Sequence, residues 1–407
     1  MLLILVTALG IARWWIPEIT GFENVYGASQ WLLSYDHGLI RRGLIGTFAG
    51  LLVPILTVGY IHHIALVAYC TFLAILLVVF YSLLSLNDPG GRLTRVILIF
   101  VACPATLALV ARNLGRFDLF LTIIALLSLT LLSANRHLWL VPALMVVAMF
   151  IHEAFLILYV PTILAAMVFL YIDGPGEKRM LATIVVSALL MLTAYFVLSV
   201  NGTPSIPYAE FVQSAQMRAN FRLTELSMTE SYYTIRDHVR LASSSLLDPG
   251  SIVNLLMALI MLSPTVMILV DLWSHVKRNN QAQRRARALF ILSTMSGLLM
   301  IPIATDYGRW LSAILFSNFF ALFFLISRGA ITVDDLGMYE GRSFSMLFVP
   351  LFLTYVLFGP FHDWNPYPYQ GNLTYSIPAI VAVLLFDAFF LARWRGAGKG
   401  LRPASQA

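Results

Sequence analysis

Long stretches without charge, each ended by a short connection that holds it, constrain this chain more than any other feature. Such apolar runs lie at 1–15, 61–86, 95–110, 117–133, 138–151, 155–172, 181–200, 252–273, 288–303, 311–326, 344–358 and 377–392. Crossing the hydrocarbon core takes about 20 helical residues. Lipid offers the backbone no hydrogen-bond partners, so a helix is the form in which runs of this kind are buried there. With 59% hydrophobic and 11% charged residues in 407, a water-soluble globule is excluded. The expected fold is all-α: a polytopic transmembrane helical bundle of about twelve spans, one integral membrane domain over 1–407, with a large outer loop at 201–250.

The side of the membrane follows from where the basic residues fall. The segment KRNNQAQRRAR (277–287) and the carboxy-terminal tail are the most basic stretches, and basic loops stay in the cytoplasm. Alternating from these two anchors puts sixteen of the 26 basic residues on the cytoplasmic side. The other ten face outward: Arg13 at the end of the first run, and nine in SYDHGLIRRGLIG (34–46), ARNLGRFD (111–118), the 201–250 loop and ATDYGRW (304–310). Outer loops are normally poor in arginine, so these ask for a reason.

Several features leave alternatives open. Residues 43–60 are also apolar; their glycine and proline content favours a half-inserted or interfacial helix, while a full crossing would give thirteen spans and a cytoplasmic Arg41 and Arg42. The start MLLILVTALGIARWW reads as a retained first span with an interfacial Trp14–Trp15 belt, since it lacks a basic leader and a small-residue cleavage site. The 201–250 loop spaces aromatics among charges, which suggests one or two amphipathic helices on the membrane surface. Cys70 and Cys103 lie within apolar runs and define no disulfide framework. A net charge of +6 does not imply nucleic acid when it is spread over membrane loops.

Candidate chemistry clusters in the outer connections. Asp36, beside His37 and five and six residues before Arg41 and Arg42, pairs a carboxylate base with anion-binding arginine, or is a salt-bridged interfacial loop. Arg112 and Arg116 share a helical face near Asp118 and can grip phosphate oxygens or snorkel to headgroups. His152 and Glu153 form an isolated ionisable pair between two apolar runs, the placement that marks a site or pathway; a buried pair or simple hairpin turn is the plainer reading. Asp306 and Arg309, like Tyr307 and Trp310, stand three apart and suit a sugar stacked on an aromatic ring, or a belt with an ion pair. DWNPYPY (363–369) reads as an aromatic anchor. Phosphate-loop, dinucleotide and zinc spacings are missing, so neither a cofactor nor a metal is expected.

A first outer loop with an acidic residue (Asp36), a surface helix after it, a large loop at 201–250 and about a dozen spans together resemble the GT-C class of polyprenyl-phosphate-dependent glycosyltransferases and the O-antigen polymerases of the Wzy type. The resemblance covers the whole chain as a plan. It implies a polysaccharide-building transferase of the bacterial cytoplasmic membrane that takes a polyprenyl-phosphate-linked sugar, with Asp36 as base. No paired acidic residues occur in the first loop, unlike the metal-dependent oligosaccharyltransferases. The expected reaction is inverting and metal-independent: Asp36, or Glu153 in its place, takes the acceptor proton and arginines stabilise the departing phosphate. The rival is a transporter or flippase of an anionic or lipid-linked sugar, with His152 and Glu153 relaying protons.

Overall fold

Helix Tyr307–Ser327 carries no charge after its first turn and is apolar nearly all round, and such a helix must be surrounded; 94% of its membrane-length window is buried. Its Phe316, Phe319, Phe320 and Phe323 meet Phe100 at ring-centroid distances of 4.8 to 6.3 Å, mostly edge to face. Phe72 and Phe80 of helix Val58–Leu84 close the cluster. Lipid is as apolar as these rings, so their close packing rather than exclusion from water holds the bundle together. This computed structural model describes residues 4–5, 7, 25–86, 88–174, 178–246, 248–277, 280–358 and 373–400.

Among them no strand forms: helices are joined by short irregular connections, with one isolated parallel bridge between Leu56 and Ala219. Seven helices are long and apolar enough to cross a membrane: Val58–Leu84, Arg92–Arg112, Phe155–Asp173, Lys178–Asn201, Leu255–Ser274, Tyr307–Ser327 and Ile377–Trp394. Asp118–Ala134, Leu140–Ile151 and Arg342–Phe358 are apolar but shorter. The run at 288–303 divides between helix Gln281–Thr294 and a 3₁₀ turn at Ser296–Met300. The seven therefore account for part of the twelve runs. The retained first span and the 363–369 anchor lie essentially outside the described residues.

Helix Gly43–Leu52 has ten residues, about 15 Å, half the hydrocarbon thickness, and ends before a new helix starts at Val58. Phe48, Leu51 and Leu52 on it are exposed. The 92–112 segment breaks at Cys103–Thr106, where Pro104 removes a donor; Thr106 Oγ1 donates to the carbonyls of Phe100 and Cys103 that the break frees.

Helix directions separate the two ends of the bundle. Helices 118–134, 155–173 and 307–327 begin at one end, and 178–201 returns to it. Asp173 accepts a hydrogen bond from Gln283 (3.1 Å), and Arg328 donates to the Ser133 carbonyl (3.3 Å), so the basic 284–287 segment, Arg136, Lys178, Arg179 and Arg328 share the opposite end. The positive-inside rule then makes the first end the outer one. We expect a cysteine at Thr203 to react with a membrane-impermeant maleimide applied to intact cells, and one at Gln283 only after permeabilisation; the reverse pattern would invert the orientation.

Candidate functional site

Two short breaks and one turn bring charge to the outer end. Helix Leu140–Ile151 stops because His152 takes extended backbone (φ −162°, ψ 123°), and the His152 ring turns back so that its Nδ1 accepts the Ala154 N–H at 3.1 Å. Glu153 is thereby placed between two spans. The turn after helix Leu107–Arg112 passes through Gly115 at φ +92°, a conformation that disfavours any Cβ, and the Trp31 indole N–H pins it by donating to the Gly115 carbonyl at 2.6 Å. That turn delivers Arg116, 3% exposed, and Asp118, which opens helix 118–134.

Arg42 holds a left-handed backbone (φ 64°, ψ 13°) at the start of helix 43–52, a conformation that costs roughly 1–3 kcal/mol and clusters at functional sites. Its guanidinium bridges Glu153 at 3.1 Å and Glu230 at 3.0 Å. Arg309 lies in the first turn of helix 307–327, where the helix dipole disfavours a cation. Two carboxylates offset this: Asp118 receives a fork of two bonds at 2.8 Å, and Asp306 stands one turn away, also within bonding distance of Arg309. Asp306 further accepts from Arg116 at 3.3 Å. Tyr26 joins the two clusters, donating from its hydroxyl to Glu230 at 2.7 Å while the Arg116 guanidinium lies 4.8 Å from its ring centroid.

A cavity of about 880 Å³ opens over these groups. Arg41, Arg42, His152, Glu153, Asp306, Arg309 and Trp310 line it, as expected candidates brought to one place. Arg116 and Asp118 stand behind them as partners of Asp306 and Arg309. Tyr307 is buried, its hydroxyl 3.4 Å from the Ala242 carbonyl, and Arg112 does not line the cavity. Asp36 lies apart: its side chain is 61% exposed, takes bonds from Ser34 (2.6 Å) and Arg218 (3.1 Å), and is not part of the cavity wall.

Sequence reasoning did not single out Tyr26, Glu230, Tyr233 or His238, all of which line the cavity. Nothing in the sequence sets Glu230 apart from the other four carboxylates of the 201–250 loop, and Tyr26 carries no signal either. Helix Ile235–Leu246 roofs the cavity with His238, Leu241 and Ser244. Arg41 is held differently from the other arginines: Nη2 donates to the Tyr233 carbonyl at 3.0 Å and Nε to that of Gly202 at 3.4 Å, and among the described residues no carboxylate pairs with it. Gly202 permits this approach, since a Cβ there would come within 2.7 Å of the Arg41 side chain and 2.1 Å of the Leu198 carbonyl.

Electrostatics divide the histidine from the acid. Burial, and then Arg42, push His152 below its ordinary value; with Nδ1 accepting from the Ala154 amide, the ring is neutral and its 3.4 Å contact with Glu153 is no ion pair. Burial alone would raise Glu153, but the Arg42 guanidinium overrules it and holds the carboxyl well below the usual range. No group of three or more potential metal ligands occurs among the described residues. No protein-family model, curated protein or solved structure matches the chain.

The depressed His152 makes acid destabilising. Unfolded, the ring takes a proton near its ordinary 6.5, whereas the folded ring stays neutral, so the unfolded state binds more protons as pH falls through that value. The thermal midpoint in detergent should drop between about pH 7.5 and about 5.5, and His152→Gln should flatten the drop. An unchanged slope in His152→Gln would mean that the ring is already charged in the fold.

Proposed function

We propose that the protein is a membrane glycosyltransferase that moves a sugar from a polyprenyl-phosphate carrier to an acceptor hydroxyl in the outer cavity. The observation that carries this reading is the composition of that one cavity. Arginines and carboxylates converge there with Tyr26, Tyr232, Tyr233 and Trp310, next to an apolar wall of Leu156, Ile157, Leu198, Leu241, Met300 and Ile303. Guanidiniums suit phosphate oxygens, aromatic faces suit a sugar ring, and the apolar wall suits a prenyl chain. Leu198 belongs to helix 178–201, whose membrane-length window is only 28% buried, so one wall of the cavity is a lipid-facing helix.

In the reaction the acceptor oxygen bonds to the anomeric carbon as the bond from that carbon to the phosphate oxygen breaks. The electron pair leaves with the phosphate, and the acceptor proton passes to a carboxylate. Glu153 is the base in this scheme, because it lines the cavity and Asp36 does not. Held ionised, Glu153 is a weak base, suited to a proton lost late, once the attacking hydroxyl has become acidic in the transition state. Protonation removes one of Arg42's two counterions. Arg42 then offers its charge to the phosphate at the step where negative charge develops. A transport reading predicts polar groups along a path through the bundle, whereas the ion network described here sits at one end.

The scheme orders the variants. Glu153→Gln should lower glycan formation by roughly 10²- to 10⁴-fold at an unchanged amount of membrane-inserted protein, and Arg42→Lys should lose activity because a single ammonium cannot bridge Glu153 and Glu230 as the planar fork does. Asp36→Asn should retain most activity. Loss with Asp36→Asn but not with Glu153→Gln, read in the same cell-surface glycan assay, would move the base to the first loop. Turnover by purified protein should survive excess chelator.

A further inference from the structure

We propose that Asp387 is an un-ionised carboxylic acid held near mid-membrane: a proton-binding site, and one that lipid-soluble carboxyl reagents reach from the bilayer. It is not part of the outer cavity and is independent of the transferase reading. Asp387 lies ten residues into the span Ile377–Trp394, about 15 Å along the helix from its outer end, where an isolated charge is costly. The residue is 8% exposed. Among the described residues no cation pairs with it, and the side chain hydrogen-bonded to it is Ser263 of helix Pro249–Ser274.

Ser263 has one hydroxyl proton and two oxygens beside it, the Ile260 carbonyl at 2.6 Å and Asp387 Oδ2. A carbonyl only accepts. In a regular helix the Ile260 carbonyl would take the N–H of residue 264, but that residue is Pro264 and has none, so the Ser263 proton stands in for it. The contact between Ser263 Oγ and Asp387 Oδ2 then lacks a hydrogen unless the carboxyl supplies it. Neighbouring hydroxyls do not alter this count: Tyr355 donates to the Met261 carbonyl at 2.9 Å, and Thr265 lies 3.1 Å from the Tyr355 oxygen and 3.8 Å from Cys103 Sγ. Asp387 Oδ1 is buried without a hydrogen-bond partner. A neutral C=O tolerates that in an apolar setting, whereas a carboxylate oxygen does not.

The acid also lies just inside a lipid-facing surface. Only 28% of the Ile377–Trp394 window is buried; Leu384 and Ala388, on the same helix, are exposed, as is Val266 one turn beyond Ser263. A carbodiimide dissolved in the bilayer adds to the acid form. The carboxyl proton moves to one carbodiimide nitrogen, the carboxyl oxygen bonds to the central carbon, and the resulting O-acylisourea rearranges to an N-acylurea with no group leaving. An ionised carboxyl in the same place has no proton to begin the addition.

The test uses the purified full-length protein in lipid nanodiscs at neutral pH. Dicyclohexylcarbodiimide should add the mass of one whole reagent molecule to the peptide that contains Asp387 and not to that peptide in Asp387→Asn, while a water-soluble carbodiimide should leave Asp387 unmodified. Independently, the infrared spectrum of the wild type minus that of Asp387→Asn should contain the carbonyl stretch of an un-ionised carboxylic acid. Asp387→Asn should keep the wild-type thermal midpoint, because its amide N–H donates to Ser263 as the acid does, so a missing band in that variant reports the carboxyl and not a lost fold. Carboxylate bands in place of the acid stretch would overturn the proposal. An acid stretch without dicyclohexylcarbodiimide labelling would overturn access from the lipid and leave the bound proton standing.

Discussion

Seven charged side chains at the outer end of the bundle are placed against one another, and the arrangement of the surrounding helices depends on that pairing. Arg42 with Glu153 and Glu230, and Arg309 with Asp118, Asp306 and Arg116, come from five separate stretches of chain. Withdrawing an ion from water costs several kcal/mol even after relaxation, and removing one partner of a buried pair costs about 3–5 kcal/mol because the other is left alone. Each carboxylate therefore fixes where its arginine's segment can lie. Tyr26 links the two groups, and its own hydroxyl is held protonated, its pKa pushed up by burial and then by Glu230.

The apolar half of the fold makes this pairing possible by being rigid. Helix 307–327 is gripped along its length by phenylalanines, so its first turn is held where Asp306 and Arg309 must stand. The partner helix 118–134 adds favourable dipole at the position of Asp118. Interior aromatic packing and ion pairing thus act at different depths on the same helices. Losing either would leave the other without a fixed frame.

Helical content, burial in a membrane and the clustering of arginine at the outer connections were legible in the sequence, because each depends on residue type and spacing along the chain. The 92–112 helix could be read as one apolar run, although its break at Pro104 owes its capping to Thr106, which hydropathy does not register. Pairings between distant segments were not legible. Nothing within ATDYGRW says that Arg309 will fork onto Asp118, 191 residues away. Asp36 stood out because it neighbours Arg41 and Arg42, yet the 3₁₀ turn Tyr35–His37 directs it to Arg218 instead. Sequence proximity to arginine was the wrong guide there, since the left-handed turn at Arg42 aims that side chain the other way, toward Glu153.

The same geometry bears on how the proposed transfer would avoid accumulating charge. In the scheme above, the proton that reaches Glu153 and the electron pair that reaches the phosphate move in the same step, so the cavity as a whole gains no net charge. What changes is the partner of Arg42, from carboxylate to phosphate. Such an exchange needs little reorganisation if Arg42 is already rigid, and its strained backbone and two acidic partners make it so. Preorganised charge is worth most where water is excluded, and Glu230 keeps Arg42 oriented while Glu153 is neutral. A lone arginine at this position would have to be repositioned during the reaction, so the second carboxylate has a role in the proposed chemistry as well as in the fold.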